Sequence, residues 1–283
     1  MNQLLRPYRP HRMTIEMTEQ EVAELVKACP NYHIGDLVGR RPAFSTRFAG
    51  SELVLRADGG GTAIRHRFID GHKLVWQEEG SPEEHEEYYE ALQIDKAIYL
   101  VAYLRKDSRP ATSVTCVLDL EMNLTTMIIS AMGTPQSARY VNQRVYHGVI
   151  ERDGIPVPMA WRHHLTRDLV GKSMGWSYRD DMTSQHIFGT PYSIAWVILQ
   201  GPGTGLLGHA PCKYYKINDH VYLYSWIETL GSGQQGVVLV NTRIMHDVGT
   251  FYGIHHGQQF EFYTYGARGF NLGSYDTKDR FKW

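Results

Sequence analysis

The stretch Tyr224-Ser225-Trp226-Ile227-Glu228 sets a carboxylate in line with two aromatic side chains. Side chains alternate along an extended strand, so Tyr224, Trp226 and Glu228 share one face. Such a carboxylate is either an outward polar residue or an inward group in an apolar cavity. Loss of hydration raises the pKa of an inward carboxyl and fits it for general acid or base work. Trp176-Ser177-Tyr178, upstream, is a second same-face aromatic pair. His66 and His186 each stand two residues before a phenylalanine, Phe68 and Phe188. A repeated histidine of this kind suits either a structural hydrogen bond or a pocket group.

Other patterns carry less. Gly203-Thr204-Gly205-Leu206-Leu207-Gly208 spells the GxGxxG of dinucleotide sites. That motif needs a helix to open beside it, so that backbone N–H groups meet the pyrophosphate. Pro211 and the strand-like Lys213-Tyr214-Tyr215 follow instead, and the run is expected as a loop. The chain has 14 histidines but no HxH or HExxH spacing. Its three cysteines, Cys29, Cys116 and Cys212, form no CxxC. No metal site and no cofactor are expected.

The elements that carry these residues come in two copies. Asp36-Leu37-Val38-Gly39-Arg40 returns as Asp168-Leu169-Val170-Gly171-Lys172. His66-x-Phe68 with Trp76 returns as His186-x-Phe188 with Trp196. Ile94-x3-Ile98-Tyr99-Leu100 returns as Ile217-x3-Val221-Tyr222-Leu223, and Asp119 as Asn241. The order is kept while the offsets drift between 120 and 132 residues, as loop lengths would make them. Short alternating runs such as Ala63–Phe68 and Ile98–Leu104 are strand-like, and turn signals such as Asp70-Gly71 separate them. A lone antiparallel sheet exposes its edges, and closure removes them. The expected fold is therefore all-β: two tandem antiparallel β-barrels with a short N-terminal helix. Residues 1–30 form an arm and that helix, opened by the capping box Thr18-x-x-Glu21 and stopped by Pro30. Residues 31–133 form a first, structural barrel, 134–164 a linker, 165–256 a second barrel with the ligand site, and 257–283 a tail.

Composition bounds the function. The 283 residues are 42% hydrophobic and 21% charged, enough to bury a core. Lys+Arg numbers 29 and Asp+Glu 30, for a formal charge of −1, so nucleic acid is not an expected partner. No run approaches about 18 apolar residues, so no membrane helix is expected. The N-terminal residues show no secretory pattern, and a cytoplasmic protein is the expectation.

The tandem landmarks resemble the MoaF-like family, calycin-type barrel proteins with an N-terminal and a C-terminal MoaF domain. The second copy is also similar to bacterial phenolic acid decarboxylases. Trp176-Ser177-Tyr178 stands where that family has Tyr-x-Tyr. His220-Val221-Tyr222-Leu223-Tyr224-Ser225-Trp226-Ile227-Glu228 fits its Gly-Val-Tyr-x-Val-Ser-Trp-x-Glu strand. The resemblance implies that Glu228 is a general acid/base. The family's substrate-holding arginine has no counterpart, since no Arg stands between Arg179 and Arg243. A cofactor-independent lyase, isomerase or cyclase acting on a small aromatic or conjugated substrate follows as the expectation. Its ligand would stack among Trp176, Trp196 and Trp226, and Tyr178 and Tyr222 would bond its polar end. Glu228 would move the proton, with Tyr178 beside it as a catalytic group. His186 or His209 would supply the role of the missing arginine. The alternatives are a lipocalin-type carrier without catalysis and a scaffold protein. The expected partner is a small aromatic or hydrophobic ligand, with a homodimer left open.

Overall fold

A computed structural model describes residues 16–29, 37–61, 63–133, 139–152, 161–228, 233–255 and 259–276. One helix, α1 (Glu19–Ala28), opens on the expected capping box: Thr18 and Glu21 each accept from the other's backbone N–H. Its buried Val22 and Val26 lie on one face, four residues apart. Pro30 lies outside the described residues.

The rest is antiparallel sheet. The first barrel runs β1 (Glu52–Ala57), β2 (Ala63–Phe68), β3 (Lys73–Glu78), β4 (His85–Asp95), β5 (Ile98–Arg105), β6 (Thr112–Asp119), β7 (Leu124–Met132) and β8 (Val141–Glu151). Each strand pairs with the next, and β1 pairs with β8 to close the circle. The short β9 (His164–Leu165) leads to the second barrel. This comprises β10 (Lys172–Arg179), β11 (Met182–Thr190), β12 (Ser193–Gln200), β13 (Leu207–Lys216), β14 (Val221–Ile227), β15 (Gln235–Asn241), β16 (His246–His255) and β17 (Gln259–Ser274). It closes in the same order, through β10 on β17 and β12 on β13. Two closed eight-stranded barrels in tandem are thus the architecture.

The expected boundaries stop one strand short in each copy. β8 lies in the stretch expected as a linker, and β17 in the stretch expected as a tail. Closure explains the difference. Seven strands would leave β1 and β7, or β10 and β16, as bare edges, and the eighth strand pairs with both.

The repeat holds at atomic detail. Asp119 Oδ1 accepts from the N–H groups of Glu121 and Met122 at 3.0 and 2.9 Å. Asn241 Oδ1 does the same for Arg243 and Ile244 at 3.0 and 3.3 Å. Each turn then contains a left-handed residue, Asn123 (φ 53°) or Met245 (φ 50°). Asn241 also uses a donor that Asp lacks: its Nδ2 donates to Ile94 O of the other barrel at 3.1 Å.

The barrels pack side by side. Strands β5, β6 and β15 are buried along nearly their whole length rather than alternately. One of their faces fills the barrel and the other meets the neighbouring barrel. Leu92, Leu100 and Val117 share one apolar cluster with Leu223, Leu239 and Val248. Between the barrels Thr115 of β6 and Thr250 of β16 share a hydroxyl hydrogen bond at 3.1 Å. Helix α1 covers one side of this seam, its Val22 and Val26 belonging to the same cluster.

Candidate functional site

The alternation of β14 turns Tyr222, Tyr224 and Trp226 into the second barrel, while Leu223 faces the other barrel. Strand β10 contributes Met174, Trp176 and Tyr178, and β11 contributes His186 and Phe188. Four interior side chains form a chain of polar contacts. Tyr178 OH lies 3.4 Å from Ser184 Oγ, which lies 3.5 Å from His186 Nε2. His186 Nδ1 lies 2.9 Å from Tyr224 OH. The two longer contacts are weak ones. Burial drives the pKa of His186 down to about 3, so the ring is neutral at physiological pH.

Tryptophans flank this chain. Trp226 meets His186 edge-on at 5.6 Å between centroids, and Trp176 lies 6.3 Å from the same ring. Each interior tryptophan has a glycine as its cross-strand partner: Trp176 faces Gly269, Trp196 faces Gly208 and Trp226 faces Gly236. A Cβ on these glycines would meet the indoles at 2.4, 2.4 and 2.6 Å. The indoles lie across the bare backbone, which only glycine permits.

Asp247 is the residue that sequence reasoning missed. It is the second residue of β16, is fully buried, and accepts from Ala267 N–H through Oδ1 at 2.7 Å. Burial pushes its carboxyl well above the usual range, which favours the protonated form. Desolvation likewise pushes up the hydroxyls of Tyr178, Tyr224 and Tyr265, which lie near it. Asp247 Oδ2, Trp176 Nε1 and Trp226 Nε1 have no hydrogen-bond partner. An acid next to a histidine, as in His246-Asp247, reads as a turn residue in sequence.

The expected site residues separate into three groups. Trp176, Tyr178, His186 and Trp226 come together in the interior, with Trp196 half-buried beside them. Glu228 lies just past β14, half-buried, and its N–H donates to Gln234 O at 2.8 Å. That bond prolongs the β14–β15 ladder and keeps Glu228 on the Trp226 side of the strand, at the barrel rim. Tyr222 and His209 lie elsewhere. Tyr222 is six residues from Glu228, roughly 20 Å along a strand, and donates to Asp168 Oδ2 at 3.2 Å at the other end. His209 is exposed, because its inward neighbours Gly208 and Ala210 put it on the outer face of β13. The GxGxxG run spans the turn between β12 and β13, closed by Leu206 N–H on Gly203 O at 2.8 Å, and the first two residues of β13, with no helix after it.

A cleft of about 710 Å³ lies between the barrels beside this rim. Val145 and His147 of β8 line one side, and Tyr192, Cys212 and Trp226 the other. Gln143 Nε2 donates to Ser225 Oγ across it at 2.6 Å. Among the described residues no group of three or more His, Cys, Asp or Glu stands close enough to hold a metal ion. No helix among them is long and apolar enough to cross a membrane.

Comparison with known proteins places the family. No curated protein matches the chain. One solved structure, "Crystal Structure of a putative beta-lactamase from Burkholderia vietnamiensis", is 15% identical and aligns over 38% of this chain and 100% of its own. Its TM-score of 0.33 carries no argument about fold or activity. Family profiles are decisive: the MoaF N-terminal domain matches residues 39–134, and the MoaF C-terminal domain matches residues 163–274. The two matches follow the two barrels and span most of the sequence, and the chain belongs to the MoaF family.

Proposed function

We propose that the second barrel binds one small, flat, conjugated molecule and acts on it by proton transfer at Glu228. The supporting observation is the set of unpartnered polar atoms in its wall: Trp176 Nε1, Trp226 Nε1 and Asp247 Oδ2. An unmet buried donor or acceptor costs about 1–3 kcal/mol, so each favours a ligand that completes it. The two indole N–H groups suit carbonyl or phenolic oxygens, and the protonated Asp247 can donate to a third. Indole faces supply the stacking surface. Glu228 stands at the rim, on the same strand face as Trp226, where a proton exchanges with solvent. Its place in a strand similar to that of the phenolic acid decarboxylases supports the same role.

The test is a turnover assay by mass spectrometry over phenolic acids, aryl aldehydes and conjugated enones. A consumed compound is expected, with loss of 44 mass units for a decarboxylase or unchanged mass for an isomerase or cyclase. Glu228→Gln should keep folding and ligand binding and cut turnover by about 100-fold or more. An unchanged rate in that variant removes Glu228 from the mechanism.

A carrier reading has its own support. Every interior group with a shifted pKa is moved toward its neutral form: His186 sits far below neutrality, and Asp247 and the tyrosines are pushed up. General acid–base catalysis works best with a pKa near the operating pH. Ligands that bind and return unaltered, with wild type and Glu228→Gln alike, would make the protein a carrier.

A further inference from the structure

The seam between the barrels is not closed along its whole length. Alternation along β8 turns Tyr146 into the first barrel and Gln143, Val145 and His147 outward. Along β13 it turns Tyr214 into the second barrel and Pro211, Lys213 and Tyr215 outward. These two outward rows line the cleft of about 710 Å³. Tyr215 is buried in the apolar cluster of the seam, and its ring centroid lies 5.0 Å from that of His147. Val145 and Ile227 only pack against that cluster and stay half-buried. The cleft is therefore the stretch in which the two outer faces stand too far apart to cover each other. Apolar wall left to water in such a concavity favours an occupant that covers it.

The charge of the lining has one sign. Arg139 and Lys213 line the cleft, and no Asp or Glu is among its described lining residues. The whole chain carries 30 acidic residues against 29 basic ones, so the excess is local. Lys213 is exposed and forms no ion pair among the described residues. It stands opposite Ser225 in the β13–β14 ladder, beside the bond that Gln143 makes to Ser225 across the cleft. A cleft with apolar walls and cations of one sign focuses a positive field inward. Tyr192, on the turn between β11 and β12, adds a flat surface at the mouth. It is 62% exposed, yet its backbone is held, because Cys212 N–H donates to Tyr192 O at 2.8 Å.

We propose that this cleft is a second ligand site, on the outside of both barrels, for a small amphipathic organic anion. The apolar body of the ligand lies against Val145, Pro211, Ile227 and the ring of Tyr192, and its anionic head meets the ammonium of Lys213. The site joins the two halves of the chain, since neither barrel alone supplies both walls. Lys213 and Tyr192 take no part in the interior of the second barrel, so the site stands or falls apart from the turnover proposed for Glu228.

Fluorescence titration of the full chain tests it with two dyes of the same shape: anilinonaphthalene sulfonate, an anion, and N-phenylnaphthylamine, which lacks the sulfonate. The anion is expected to bind a single site, and more tightly than the uncharged dye. An exposed ion pair is worth up to about fivefold in affinity, and reversing the charge adds repulsion. Lys213→Glu should therefore weaken the anion by about fivefold or more and leave the uncharged dye within about twofold. Tyr192→Ala should weaken both dyes. Octanoate should displace the anion, and octanamide should do so far less well. Both substitutions are at exposed positions, and circular dichroism checks that the variants fold. No binding of the anion, equal affinity for the two dyes, or wild-type affinity for the anion in folded Lys213→Glu would overturn the proposal.

Discussion

At the scale of single residues, the second barrel depends on what is left out as much as on what is present. Trp226 lies over Gly236, and a Cβ there would stand 2.6 Å from the indole Cη2. Gly236→Ala should therefore push Trp226 off its position against His186 and Phe251. The expected cost is about 1–3 kcal/mol, in line with other overpacked cores, together with a changed tryptophan emission. An urea titration followed by fluorescence measures both, and a variant with wild-type stability and spectrum would show that the indole is not confined. Much of the site was legible for a simple reason: Trp176, Tyr178, His186 and Trp226 sit at strand alternation, and alternation survives folding. Asp247 was not legible, because its burial comes from closure by β17 and from Tyr178 and Tyr265 around it. Tyr222 and His209 went the other way. Alternation turns Tyr222 inward but says nothing about height in the barrel, and His209 takes the outer face of β13, away from any role inside.

At the scale of elements, the sequence marks hairpins better than it marks closure. Strands joined by tight turns announce themselves, as Asp119 and Asn241 do by capping matching turns. The closing strands β8 and β17 complete their barrels by pairing with strands far back in the chain, β1 and β10, so no local pattern marks the closure. Strand β17 is the longest element, 16 residues, and pairs along both sides, with β16 and with β10. Its Phe260 and Phe262 also enter the seam between the barrels. Ending the chain at residue 256 should thus expose two strand edges and part of the shared core at once. The expected outcome is loss of a cooperative thermal transition by circular dichroism, with aggregation through the bare edges. A monomeric truncated chain melting like the full one would show that β17 is the dispensable tail its position suggested.

At the scale of the whole molecule, the two barrels share one apolar cluster and are expected to unfold together. Buried histidines sit in both and near their junction. His66 bonds Tyr103 at 3.0 Å inside the first barrel, His186 bonds Tyr224 inside the second, and His163 bonds Thr126 at 2.8 Å. Burial pushes all three down to about 3. The folded chain therefore keeps these rings neutral, whereas the unfolded chain protonates them below about pH 6.5. Between those values the unfolded state binds more protons, so stability falls as pH falls from about 6.5 toward 3. Each histidine contributes a slope of up to about 1.4 kcal/mol per pH unit in that window. Urea unfolding at pH 7, 6 and 5, followed by circular dichroism and by fluorescence, should show one coincident transition that moves steadily to lower urea. His186→Gln should reduce the acid slope by one histidine's share and leave a single transition, because a change inside the second barrel is carried to the first through the common seam. Two separated transitions, with only one of them altered by His186→Gln, would mean that the seam does not couple the barrels and that each folds on its own.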